Sequence, residues 1–145
     1  MKQLSILVTL LISLAVFSCK EKVQTEVTSN AITVNKVEVI DFHSTHRCMT
    51  CNAIEANTKY TLETYFAKEL KDHKITFQVI NVDEEENEKI AEKFEASGTS
   101  LFLNVIKNGK ETQINLTDFA FMNGNDQEAF SKELKTKIDK ELKTL

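Results

Sequence analysis

The sequence has no proline, few cysteines and no excess of positive charge. Without proline, a cis peptide bond would cost about 2.5–4 kcal/mol wherever it formed, so trans bonds are expected. The chain carries 18 Lys and Arg against 22 Asp and Glu, and loss of Lys2 with an N-terminal signal would leave 17 against 22. That balance leaves no basic surface for nucleic acid. The longest apolar run, Leu4 to Phe17, falls short of the roughly 20 residues that a membrane-spanning helix needs. No internal repeat or low-complexity tract is present.

The N-terminus sets the expected compartment. Lys2 supplies a positive n-region, Leu4 to Phe17 an apolar h-region, and Ser18 a small residue before Cys19, which together read as a secretory signal over residues 1–18. The V-F-S-C sequence resembles a bacterial lipoprotein cleavage site, which implies that Cys19 becomes the lipidated first residue. Double acylation would give a stable anchor where one chain binds only marginally. Residues 19–35 are polar and read as a tether, and residues 36–145 as one domain. The expected location is lipid-anchored, periplasmic or at the cell surface, where disulfides persist.

The two cysteines that remain stand in His43-Ser44-Thr45-His46-Arg47-Cys48-Met49-Thr50-Cys51, where an apolar strand pattern, KVEVIDF, gives way to a helical one. A CxxC at the mouth of a βα unit is the setting of a redox pair. The helix dipole stabilises a thiolate at Cys48, with Arg47 and His46 adding positive charge, so Cys48 is the candidate nucleophile. Cys51, one turn on, is the candidate resolving thiol. A structural bridge closing about four residues would contribute only about 2 kcal/mol. A metal set from His46, Cys48 and Cys51, with His43 as a fourth donor type, is the rival. Structural zinc sites usually split their ligand pairs between elements, whereas soft Cu(I) or trivalent arsenic needs only two or three sulfur-centred contacts. No bound cofactor is expected. Asp41 reads either as a buried general base for Cys51 or as a strand-end carboxylate tied to backbone. His43 reads as a strand cap and His73 as a loop residue.

The coarse element order is strand, helix, strand, helix, hairpin, helix. Val37, Val39, Ile40 and Phe42 mark a buried strand. Ile54, Leu62, Tyr65, Phe66 and Leu70 keep helical spacing from Met49 to Leu70. Ile75, Phe77 and Val79 alternate, and the acidic run Glu84 to Glu86 reads as a helix start and not as a metal site. Asn108-Gly109 between alternating runs marks a type I′ hairpin turn. TDFAFMNGND reads as a loop whose Phe119, Phe121 and Met122 either cover the end of the sheet or form a docking patch. The last helix is expected to be capped by Asn125, with Glu128 three residues on, and to bury Ala129, Phe130, Leu134, Ile138 and Leu142 on one stripe. The sum is an α/β fold, a central mixed sheet with helices on both faces.

From Val37 to the C-terminus the chain resembles thioredoxin. VIDF stands before the redox turn, INVD ends the next strand, and F-x-x-x-G-T-S-L-F-L with KNG leads into the hairpin. FHSTHRCMTC with IEANTK behind it is similar to the small thioredoxin-like lipoproteins of Bacteroides-type bacteria grouped as the ArsF family, which bears the name nitrophenyl-compound nitroreductase subunit. The resemblance implies thiol–disulfide oxidoreductase chemistry on a protein thiol or disulfide partner, in a monomer, with Asp41 at the proton acceptor's place. A binding module for soft metals and a non-catalytic accessory subunit of a membrane redox complex are the alternatives. Met49-Thr50 replaces the Gly-Pro of thioredoxin, which leaves the potential open between about −270 and −120 mV. Thr99-Ser100 stands where the cis-proline loop would face the thiols. It is expected to be trans, with the Thr99 or Ser100 hydroxyl donating to the Cys48 thiolate unless the loop has drifted away from the thiols. The loop from Asp41 to Cys48 is one residue longer than in thioredoxin.

Overall fold

A computed structural model describes residues 34–145. The expected signal, Cys19 and the expected tether as far as residue 33 lie outside the described residues. Four strands form one mixed sheet in the order β2-β1-β3-β4: β1 (Lys36–His43), β2 (Ile75–Asn81), β3 (Ser100–Lys107) and β4 (Lys110–Asn115). β1 runs parallel to β2 and antiparallel to β3, and β3 and β4 are antiparallel. β1 is therefore flanked on both edges and covered on both faces, which is why its apolar pattern is nearly unbroken.

Strand alternation divides the core in two. Val37 and Val39 of β1, with Leu101, Leu103 and Val105 of β3, face α1 (Met49–Tyr65) and α5 (Gln127–Leu142), packing on Ile54, Leu62, Phe130, Leu134 and Ile138. Ile40, Phe42, Ile80 and Phe102 face the opposite way, onto Phe94 at the end of α3 (Glu88–Lys93). Three rings, Phe42, Phe94 and Phe102, meet there at centroid distances of 5.3–5.9 Å, the spacing of tilted and edge-to-face aromatic pairs. Asp41 follows Val39 on the α1 face, and its cross-strand neighbours are Val79 and Leu101.

The hairpin forms as its sequence implies. Lys107 pairs with Lys110, and Asn108 and Gly109 both take positive φ, 51° and 76°, as a type I′ turn requires. Several expectations are corrected. The helix from Met49 stops at Phe66 (φ −131°), whose ring is buried, and α2 (Ala67–Lys71) follows as a separate turn. Tyr65 is left largely exposed. No glycine or proline marks this break; burial of Phe66 decides it. In β2, Val79 is exposed and Ile80 buried, because β2 is a sheet edge where only the α3 face is covered at that point. The acidic run forms a 3₁₀ turn over Glu85–Asn87 ahead of α3.

TDFAFMNGND is no loop. Thr117–Asn123 form α4, with Phe119 buried against Phe130 at 5.0 Å, while Phe121 and Met122 remain exposed. The cap of α5 is Asp126, whose Oδ1 accepts from the Ala129 N–H at 3.0 Å. The expected cap, Asn125, instead accepts from the Thr50 hydroxyl at 3.5 Å.

Candidate functional site

β1 delivers the chain to a short turn, Ser44 to Arg47, and Cys48 then occupies the N-cap of α1 with extended backbone (φ −75°, ψ 167°). The Cys48 sulfur accepts from the Cys51 N–H at 3.0 Å, filling the place of a capping oxygen. Cys48 and Cys51 are joined as a disulfide, with Cα atoms 5.0 Å apart. Cys48 and Met49 are exposed, whereas Cys51 is 8% exposed. The pair thus presents one sulfur to a partner and keeps the other under the helix.

The turn is pinned by the end of β2. The Thr45 N–H donates to Asp83 Oδ2 at 2.7 Å, and Asn81 Nδ2 donates to Thr45 Oγ1 at 3.2 Å. Thr45 holds the Asp83 carboxyl below its ordinary range. His43 Nδ1 lies 2.9 Å from the Ser44 carbonyl, the contact of a strand-end residue. His46 is exposed. Among the described residues, no group of three or more His, Cys, Asp and Glu is placed to hold a metal ion.

On the other side lies the loop before β3. A Cβ at Gly98 would sit 3.6 Å from Ser44 Oγ, so this loop is against the redox turn. Gly98, Thr99 and Ser100 line an open cleft of about 560 Å³ shared with Asn115 and Thr117. The peptide bonds of the described residues are trans. The Ser100 hydroxyl donates to the Gly98 carbonyl at 3.1 Å, and among the described residues neither it nor Thr99 is hydrogen-bonded to a sulfur. In the disulfide state the Ser100 proton goes to a backbone acceptor of its own loop.

Asp41, reached from the Cys51 carbonyl through Arg47, is the most perturbed group of the site. Asp41 has no exposure, and neither carboxyl oxygen has a hydrogen-bond partner. The alternative of a carboxylate tied to backbone is thereby set aside. Burial pushes its pKa from 3.8 to about 7; Arg47 pulls the other way, and Glu55 adds to the rise. Arg47 does not flank Cys48 as its position suggests. Its guanidinium turns inward: Nη2 lies 3.7 Å from Asp41 Oδ2 and donates to the Cys51 carbonyl at 3.3 Å, while Nη1 pairs with Glu55 Oε2.

Glu55 was not legible as a site residue. The available signal is its spacing, one turn after Cys51 on the same helix face; what spacing cannot show is that Arg47 reaches it. Gly124, between α4 and α5, was missed too. A Cβ there would come within 2.9 Å of Thr50 Cγ2 and 3.2 Å of Ile54 Cγ1, and the Gly124 carbonyl accepts from Asn57 Nδ2 at 2.9 Å. The α4–α5 junction thus packs directly on the first turns of α1.

A βα unit with a CxxC disulfide at the helix N-terminus, joined through α3 to an antiparallel hairpin and a final helix on the same four-stranded sheet, is a thioredoxin-like α/β fold. No family model matches the chain, and no curated protein matches it. Among solved structures it is similar to a thioredoxin from Fasciola hepatica, at 21% identity and a TM-score of 0.46, over 76% of this chain and 85% of that one. Mitochondrial thioredoxin 3 of Saccharomyces cerevisiae in its oxidized form matches at 21% identity and a TM-score of 0.45, over 75% and 82% of the two chains. A thioredoxin from Thermus thermophilus matches at 19% and 0.46, over 70% and 72%. Likeness at this level adds nothing on activity, and the fold rests on the strand order and register above.

Proposed function

We propose that the protein is a membrane-tethered thiol–disulfide oxidoreductase working outside the cytoplasmic membrane, anchored through a lipidated Cys19, and kin to the small thioredoxin-like lipoproteins of the ArsF group. The observation that carries the chemistry is the split exposure of the bonded pair, with Cys48 at a helix N-cap facing solvent and Cys51 buried, its carbonyl linked through the Arg47 guanidinium to the unbonded Asp41 carboxyl. The tether rests on the N-terminal signal pattern and on Cys19.

In the reducing direction, the Cys48 thiolate attacks one sulfur of a partner disulfide, forms a mixed disulfide and expels the partner's other sulfur as a thiolate. Cys51 then yields its proton to Asp41, and the Cys51 thiolate attacks Cys48 Sγ. The bond from Cys48 to the partner breaks, and the second partner sulfur leaves and takes up a proton. Two electrons pass from the dithiol to the partner, and the reverse order oxidises a partner dithiol. An Asp with pKa about 7 is suited to both halves, since a proton carrier works best near the ambient pH. The cleft at Gly98 to Ser100 is where the partner's chain would lie beside Cys48.

The test is a redox titration of the protein, read by alkylation mass shift, with and without Zn(II), Cu(I) and As(III). A two-electron transition unaffected by the metals is expected. Protection from alkylation by one of them at stoichiometric concentration would favour a binding module instead. For the tether, mass spectrometry of membrane fractions should find a lipid-modified Cys19 peptide, and recovery of an intact Met1 peptide would reject it.

A further inference from the structure

We propose that Arg47 and Glu55 are a positioning pair for Asp41: one guanidinium spans both carboxyls and the Cys51 carbonyl, so Glu55 governs how firmly Arg47 holds Asp41 as an anion. The inference rests on the oxidoreductase reading for its purpose, and on geometry for its content. Arg47 is mostly buried, its Nε has no partner, and its two terminal nitrogens are divided among Asp41, Glu55 and Cys51. The division is uneven. Nη1 is in direct contact with Glu55, whereas Asp41 is reached only at 3.7 Å and without a hydrogen bond. A guanidinium committed to Glu55 stabilises the Asp41 anion less than a free one would, and the Glu55 charge opposes that anion directly.

Arg47 and Glu55 are the charges that act on Asp41. Its neighbours across the sheet are Val79 on β2 and Leu101 on β3, α5 contributes the apolar Phe130, Leu134 and Ile138 to this face, and α1 contributes Cys51 and Glu55. The balance at Asp41 therefore rests on two side chains, and removing each should move it in opposite directions. Without Glu55 the guanidinium turns wholly to Asp41, which then loses its proton more readily. Without Arg47 the buried carboxyl faces only Glu55 and keeps its proton longer. A purely structural ion pair would lose stability in both variants with no such opposition.

The experiment uses the full chain, with aspartate side-chain carboxyls labelled with carbon-13. The Asp41 titration is followed by NMR in wild type, Glu55→Gln and Arg47→Gln. In parallel, the reduced proteins are treated with 5,5′-dithiobis(2-nitrobenzoate). The second release of thionitrobenzoate reports Cys51 attacking the Cys48 mixed disulfide. Glu55→Gln should lower the Asp41 midpoint by about one pH unit and Arg47→Gln should raise it by a similar amount, the effect expected of one charge within 4–6 Å. The pH profile of the second release should shift with each. Arg47→Lys, which keeps the charge but loses the fork, should fall between wild type and Arg47→Gln and serves if Arg47→Gln does not fold. Midpoints that stay fixed, or move the same way in Glu55→Gln and in the Arg47 variant, would overturn the pair. Midpoints that move in opposite directions in the two variants, with no second release from wild type at any pH, would uphold the pair and reject the oxidoreductase reading.

Discussion

Asp41 costs the fold stability, and the sign follows from its pKa. Between 3.8 and about 7 the native state holds a proton that the unfolded chain has lost. Stability therefore falls as pH rises through that window, and the penalty is complete above pH 7. A shift of this size corresponds to about 4 kcal/mol. Asp41→Asn should thus be more stable than wild type by a few kcal/mol at pH 8 and nearly equal to it at pH 4, read by denaturant unfolding with the disulfide intact. Equal gains at both pH values would show that packing, and not ionisation, is responsible. The two sulfurs differ at the same scale. With Cys51 8% exposed and Cys48 open to solvent, brief alkylation of the reduced protein should label Cys48 first. Because the Arg47 guanidinium bonds the Cys51 carbonyl, Arg47→Gln should alter the alkylation rate of Cys51 more than that of Cys48.

The helices are joined at specific contacts whose loss can be measured. Gly124 has ordinary helical backbone, φ −56° and ψ −27°, so its requirement is for space, not for conformation. Its missing Cβ would stand 2.9 Å from the Ala120 carbonyl and from Thr50 Cγ2. Gly124→Ala should cost about 1–3 kcal/mol by overpacking, measured as a lower denaturant midpoint. At the start of α5, Asp126→Ala should cost about 1 kcal/mol, since it removes the oxygen that accepts from the Ala129 N–H. Asn125→Ala should cost distinctly less, and the reverse order would restore Asn125 as the cap. Between α1 and α5 a polar seam interrupts the core: the Thr61 hydroxyl donates to the Asn57 carbonyl at 2.7 Å and shares a 2.9 Å bond with Ser131 Oγ. Both hydroxyls are buried, so Thr61→Ala takes from Ser131 Oγ this partner, whereas Ser131→Ala leaves the Thr61 hydroxyl its bond to the Asn57 carbonyl.

For the whole molecule, the disulfide is no structural necessity. Its loop of about four residues is worth roughly 2 kcal/mol in the chain-entropy model. The two core layers, packed on opposite faces of β1 and β3, include neither cysteine. The reduced protein should keep its native circular dichroism spectrum, with unfolding shifted by about that amount. Collapse on reduction would mean that the bridge holds the fold and does not serve exchange.

Much of this architecture is written in short-range pattern. The near-continuous apolar run of β1, the Asn108-Gly109 turn and the stripe from Phe130 to Ile138 each depend on neighbours a few residues apart, so periodicity alone reveals them. The CxxC at a strand-to-helix junction is local too, and with it the likeness to thioredoxin. What the sequence left undetermined depends on contacts between distant segments. The break at Phe66 follows from burial in the core, the exposure of Val79 from its place at an edge, and the helix at Thr117–Asn123 from Phe119 finding Phe130. The inward turn of Arg47 is of the same kind. Reading along the chain, it stands beside Cys48 and belongs to that thiol. Only the closing of α1 over β1 brings two carboxyls, one from each element, within its reach, and a buried cation goes where opposite charge relieves its desolvation.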